Sequence, residues 1–335
     1  MTPSFDIAGR TLGAGQPAYI IAEVGFNNAG RADLGIAMIE AAAKAGVDCV
    51  KFQSYRTEEL SLRDWEHFEL VRHGEMDESV HRDLAAAAKA IGVTLMSTPF
   101  SPWAVDVLEK IGVPAYKIAS MDLTNIPLIR LVAGTGKPLF LSTGMGTLGE
   151  IADAIEAFAA AGGRDLMLLH CVSQYPPPPE HANLRTMLQL RDAFGLPAGY
   201  SDHVLGNAVA LAAVALGAAA IEKHFTTDKN LPGPDHRISA DPGEMAALAR
   251  DARTIEKAMG RAAADATRPD RANARLSRRG LYAARAIPAG TVLTADMIKC
   301  VRPERGLAPV LAADALGRAT RRALAAEDPI TLDAI

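Results

Sequence analysis

The stretch KPLFLSTGMGTLGEIADAIEAFAAAGGRDLMLLHCV, residues 137–172, holds one full structural period of the chain. Its two ends, PLFLS and LMLLHCV, are continuously apolar rather than alternating, the pattern of strands covered on both faces. Between them, residues 147–161 carry a helical pattern that stops at Gly162. A buried strand, a helix and a second buried strand specify a parallel pair joined by a crossover. The period recurs in both directions: YIIAEVG from 19, VDCVKFQ from 47, VTLMSTP from 93, PAYKIAS from 114, PAGYSDH from 197 and AAIEKHF from 219. The eight starts lie on average about 29 residues apart, the length of one β-loop-α unit. Residues 33–45, with Leu34, Ala37, Met38, Ala41 and Ala45 at helical spacing before Gly46, and residues 103–111 before Gly112, supply further helices. Eight such units predict an α/β fold, a closed (β/α)8 TIM barrel over residues 1–260. The competing doubly wound sheet lacks support, since no G-x-G-x-x-G follows the first strand.

The pattern breaks after Gly260. Residues 261–277 are rich in Ala and Arg and read as a linker, and residues 278–335, with short strand-like runs and turns in GLYAARAIPAGTVLTADMI, read as a small β-rich module. Residues 261–335 hold 13 basic and 8 acidic side chains, net +5, against 22 and 31, net −9, for residues 1–260. A basic module can dock on an acidic body, its own or a partner's. The mildly acidic total of −4 argues against a nucleic-acid partner. Three cysteines make no disulfide framework, the first residues show no secretory pattern, and the uncharged run 208–221 is too short to span a membrane. A cytoplasmic protein without membrane partner is expected.

Chemistry in such barrels collects at the carboxyl ends of the strands. Read in order, those ends carry Glu23; Lys51 and Gln53; Ser97 and Thr98; Lys117 and Ser120; Ser142 and Thr143; Ser173 and Tyr175; Ser201, Asp202 and His203; then Glu222, Lys223 and His224. Buried polar groups cost several kcal/mol unless paired or engaged with a ligand, so one shared site explains them better than eight accidents. Two lysines among hydroxyls make an anion site for phosphate or carboxylate. His203 and His224, on adjacent strands with Glu23, Asp202 and Asp235 near, favour a divalent metal with open coordination positions. The proline-stiffened KNLPGPDH, residues 229–236, is expected to form a loop over the mouth, and YPPPP after the sixth strand a rigid wall.

The motifs IIAEVGFNNAG, VKFQSY, STPFS, YKIAS, LSTGMGTL, LLHCVSQYP, GYSDHVLG and IEKHFTTDKNLPGPDH, with RRGLYAARAIPAGTVLTADMI at the end, resemble the N-acetylneuraminate (sialic acid) synthase family over essentially the whole chain. The tail resembles its SAF, or antifreeze-like, domain. The resemblance implies condensation of phosphoenolpyruvate with the open-chain aldehyde of N-acetylmannosamine or a related 2-acetamido hexose, giving a nine-carbon 3-deoxy-2-ulosonic acid and phosphate. It implies substrate binding by Lys51, Gln53, Thr98, Lys117, Ser120, Ser142, Ser173, Tyr175 and Ser201. It further implies Mn2+ or Mg2+ on His203 and His224, Glu23 handling protons on the water, and Asp122 and Asp235 nearer the sugar. Arg302, in VRPERG, matches the family arginine that reaches the acetamido group across a domain-swapped homodimer.

Departures bear on the sugar. Asn27, Asn28, Ala29 and Gly30 stand where the family usually reads N-H-N-G, residues 55–78 are shorter than usual, Ser173 replaces a common asparagine, and GLAP replaces G-I-S-P. A pyruvate-dependent Schiff-base aldolase and a non-catalytic sugar-binding member are the alternatives.

Overall fold

The computed structural model describes residues 3–260 and 269–335. Two compact units divide between Gly260 and Arg261. In the first, a hairpin of β1 (Ser4–Ile7) and β2 (Arg10–Gly13) precedes eight parallel strands: β3 (Tyr19–Glu23), β4 (Cys49–Ser54), β5 (Thr94–Pro99), β6 (Tyr116–Ile118), β7 (Leu139–Ser142), β8 (Leu166–Cys171), β9 (Ala198–Asp202) and β10 (Ala220–His224). Each strand pairs with its neighbour in sequence and β10 pairs back onto β3, so the sheet closes into the (β/α)8 barrel. Six of the eight strands are buried at every position, which is why they read as apolar runs.

The helices start and stop on local chemistry. Asp77 caps the helix Glu78–Ile91 by accepting from the N–H groups of Ser79 and Val80, and Gly92, at φ 83°, ends it. Thr147 and Glu150 form a reciprocal capping box on Leu148–Ala160, and Asp241 and Glu244 form another on Pro242–Met259. Inside the barrel the lower layers are apolar: Tyr19, Ile21, Cys49, Met96, Phe140, Met167 and Leu169 pack with Phe5, Ile7 and Leu12 of the hairpin. The hairpin thus belongs to the apolar cluster inside the barrel, and the polar layer lies at the carboxyl end of the strands.

In the second unit, β11 (Gly280–Ala283) and β12 (Ile298–Val301) form an antiparallel pair over a small core that includes Leu281, Ile287, Leu293, Leu324 and Ile330. Of the stretch read as a linker, residues 261–268 lie outside the described residues. The remainder is not extended but turns through a 3-10 segment, Pro269–Asn273, into a short helix, Ala274–Ser277. Among the described residues no helix is long and apolar enough to cross a membrane.

Candidate active site

The carboxyl ends of the strands surround a cavity of about 270 Å³. Strand register does the first positioning: Glu23 stands opposite Lys51, Gln53 opposite Thr98, and Glu222 opposite Ser201. Lys51 Nζ lies 2.7 Å from Glu23 Oε2 and donates to Thr98 Oγ1 at 2.9 Å. Gln53 donates its amide to Glu23 Oε1 at 2.9 Å, so both oxygens of this carboxylate are held.

Glu222 sits between the two lysines. Its Oε2 is 3.6 Å from Lys51 Nζ, its Oε1 is 3.8 Å from Lys117 Nζ, and Ser201 donates to Oε1 at 2.8 Å. Burial pulls the Lys51 ammonium down, but Glu222 and Glu23 more than offset it and leave the group above its ordinary range. Lys117 falls the other way: burial, reinforced by Lys51 and only partly countered by Glu222, lowers it. Burial works against the Glu222 carboxylate, yet Lys117, Lys51 and the Ser201 hydrogen bond hold it below the usual range. Lys117 is the more available cation, since its facing carboxylate is beyond hydrogen-bond distance. Lys223, between Glu222 and His224, does not line the cavity; it pairs with Asp202 at 2.7 Å on the other side of the sheet.

His203 and His224 both line the cavity, their ring centroids 5.4 Å apart. His203 Nδ1 donates to the Val172 carbonyl at 2.8 Å, which leaves Nε2 with its lone pair. Burial, with His224 adding to it, pushes the His203 imidazole down to about 3, so it is neutral, as a ligand must be. Two imidazoles bound at about 2.1 Å to one ion place their centroids about 5 Å apart, so the pair fits a shared divalent ion. Among the described residues no group of three or more His, Cys, Asp or Glu could hold a metal, and an ion here would keep open positions. Asp235 does not line the cavity. Its carboxylate stands 3.6 Å from His224 Nδ1, beyond hydrogen-bond distance, so it is a charge neighbour of that imidazole and not its hydrogen-bond partner. Gly25, at φ 56°, makes room for that pair, since a Cβ there would come within 2.9 Å of Asp235 Oδ2.

On the opposite wall, Ser120 lies 2.9 Å from the Cys171 sulfur and accepts from the Gly144 N–H at 3.1 Å. Ser142, Ser173, Tyr175, Ala119, Met121 and Met145 also line the cavity, and the Tyr175 ring lies tilted against His203 with centroids 4.2 Å apart. Asp122 is not part of it: this half-buried carboxylate accepts from Asn125 at 2.8 Å outside the cavity, and burial raises it. Arg302 lies exposed in the second unit. The first loop is tied down by buried Asn27, which donates to Phe225 O and Ser239 Oγ at 2.8 and 2.9 Å. Five lining residues carried no assigned role in the sequence reading: Ala119, Met121, Met145, Cys171 and Glu222. For Glu222 a signal existed: in AIEKH alternate residues face the same side, so Glu222 must point where His224 points.

A closed (β/α)8 barrel whose carboxyl end gathers two buried lysines, their counter-carboxylates, hydroxyls and paired imidazoles into one cavity is a barrel enzyme. The chain belongs to the NeuB family, whose model matches residues 38–264, and a SAF domain model matches residues 278–335. An uncharacterized protein of Methanocaldococcus jannaschii is 44% identical over 90% of this chain and 89% of its own. The N,N'-diacetyllegionaminic acid synthase of Campylobacter jejuni is 38% identical over 89% of this chain and 94% of its own. Among solved structures, an N-acetylneuraminic acid (sialic acid) synthetase from Leptospira borgpetersenii superposes with a TM-score of 0.78 at 35% identity, covering 82% of this chain and 95% of that one.

Proposed function

We propose that this enzyme condenses phosphoenolpyruvate with the open-chain aldehyde of a 2-acetamido hexose, releasing phosphate and a nine-carbon 3-deoxy-2-ulosonic acid. The observation that carries the proposal is the cavity floor, where two lysine ammoniums and the hydroxyls of Thr98, Ser142 and Ser201 converge beside two imidazoles. Lys117, with no close partner, and the serines hold the phosphate and carboxylate of phosphoenolpyruvate by charge-assisted hydrogen bonds. Its C3 then forms a bond to the aldehyde carbon, and the aldehyde oxygen takes up a proton. Water adds at C2 and gives a proton to Glu23, whose carboxylate is fixed by Gln53 and Lys51 within the same cavity. The C2–O bond to phosphate breaks with its electron pair, the C2 hydroxyl gives its proton to the departing phosphate and the ketone forms, while the proton taken by Glu23 balances the one the aldehyde oxygen took up. His203 and His224 would hold a divalent ion, manganese or magnesium, which would supply Lewis-acid polarisation of a carbonyl oxygen.

Phosphate release with phosphoenolpyruvate and a panel of 2-acetamido aldoses, with mass spectrometry of the product, tests the reading. A Schiff-base aldolase draws on one observation, the depressed ammonium of buried Lys117. Borohydride trapping with pyruvate separates the two, and a covalent adduct on Lys117 or Lys51 would overturn the condensation mechanism.

A further inference from the structure

The strand alternation that turns Glu222 and His224 into the cavity turns Lys223 away from it, and on the neighbouring strand Asp202 is turned away between Ser201 and His203. Register sets these two outward side chains opposite each other. They form an ion pair buried behind the barrel wall, Lys223 3% and Asp202 1% exposed. Lys223 Nζ donates to Asp202 Oδ2 and to the Val204 carbonyl, each at 2.7 Å, and Asp202 Oδ1 accepts from the Val204 N–H at 3.0 Å. One pair therefore holds both backbone polar groups of Val204, the residue that follows His203.

A buried ion pair is a poor way to stabilise a wall. Desolvating both charges cancels much of their attraction, and apolar side chains of similar volume usually serve the fold as well. Apolar side chains cannot hold Val204 by its N–H and C=O groups. The pair also stands one residue before each imidazole, Asp202 before His203 and Lys223 before His224. His203 Nδ1 has the Val172 carbonyl as a partner, but among the described residues nothing hydrogen-bonds His224 Nδ1. The place of that ring depends on its backbone.

We infer that the Lys223–Asp202 pair is the positioning device for the proposed metal ligands, fixing from behind the wall the separation at which His203 and His224 share one ion. The inference rests on the ion proposed above. Residues that orient metal ligands without touching the metal are worth about 10- to 100-fold in affinity. Without the pair, β9 and β10 can shift against each other at the two histidines, and binding must then bring the rings together. Phosphoenolpyruvate is less affected, because Lys117 stands on β6, four strands round the barrel from β10.

The test compares manganese with phosphoenolpyruvate affinity in the full-length protein carrying Asp202→Leu together with Lys223→Met, which removes both charges at similar volume. The manganese Kd, read from the electron paramagnetic resonance of the free ion, is expected to rise at least about ten-fold. The phosphoenolpyruvate Kd, from isothermal titration of chelator-treated protein, is expected to stay within about two-fold, with the circular dichroism spectrum kept. A pair that served only the fold would weaken both ligands together. A smaller rise for manganese, or an equal loss for both ligands, overturns the inference. Should that variant fold poorly, Lys223→Met alone, which cuts the tie between the strands, is judged by the same two constants. If neither folds, the pair serves the fold itself and the inference fails. Wild-type protein that binds no manganese sinks the proposed ion, and this inference with it, while leaving the condensation to its own test.

Discussion

At the scale of single residues, Glu222 decides how the floor is charged. It holds the Lys117 ammonium partly up against burial, and Lys51 fully so. Glu222→Gln keeps the shape and an acceptor for Ser201 but deletes the countercharge, so Lys117 drops further and spends more time as the neutral amine. The KM for phosphoenolpyruvate is then expected to rise by about ten-fold at neutral pH, the scale of one charge-assisted contact. Lowering the pH favours the protonated amine, so the defect should shrink as the pH falls; steady-state kinetics as a function of pH would show it, and a defect independent of pH argues against the assigned role. The imidazoles make a separate prediction. His203→Ala or His224→Ala removes one of two proposed ligands, and since among the described residues no third His, Cys, Asp or Glu completes a metal-holding group, manganese binding by titration and turnover should both be lost while the circular dichroism spectrum is kept. A variant that turns over at the wild-type rate after chelation would show that no ion on this pair is needed.

At the scale of elements, the barrel was legible because its strands are buried on both faces and recur at one spacing, as β7 and β8 show. The site was legible as a set of strand ends, and twelve of the side chains named from it line one cavity. What escaped was direction. Asp122 ends a single 3-10 turn, Ser120–Asp122, and Asp235 precedes another, His236–Ile238, segments too short for periodicity to fix, and the structure places Asp235 3.6 Å from His224 Nδ1 and Asp122 on Asn125. The opening hairpin escaped as well, because β1 and β2 have four residues each and too little pattern to register. Its role is mechanical: Leu12 is fully buried and Ile7 nearly so, in the apolar cluster inside the barrel. Leu12→Ala should cost about 2–5 kcal/mol in urea denaturation while leaving kcat within about two-fold, since the lost volume lies in the apolar layer and not at the carboxyl end. A loss of activity without a loss of stability would show that the hairpin reaches the chemistry.

At the scale of the whole molecule, the charge divides as net −9 over residues 1–260 and +5 over residues 261–335, opposite signs that attract wherever two such surfaces meet. If second units exchange within a homodimer, as the family resemblance implies, Arg302 of one protomer would serve the acceptor bound in the other. Arg302→Ala alone tests only whether the arginine matters: the acceptor KM should rise about ten-fold with little change for phosphoenolpyruvate. Mixing distinguishes the two arrangements. Let one population carry Arg302→Ala and another Lys117→Ala, each nearly silent at an acceptor concentration well below the wild-type KM. After subunit exchange about half of the dimers are hybrids. If Arg302 acts across the dimer, each hybrid has one barrel with its lysine intact that receives an intact arginine from the partner. About a quarter of all sites then work, and about a quarter of wild-type activity returns. If Arg302 acts within its own chain, every hybrid site lacks one of the two groups and mixing restores nothing.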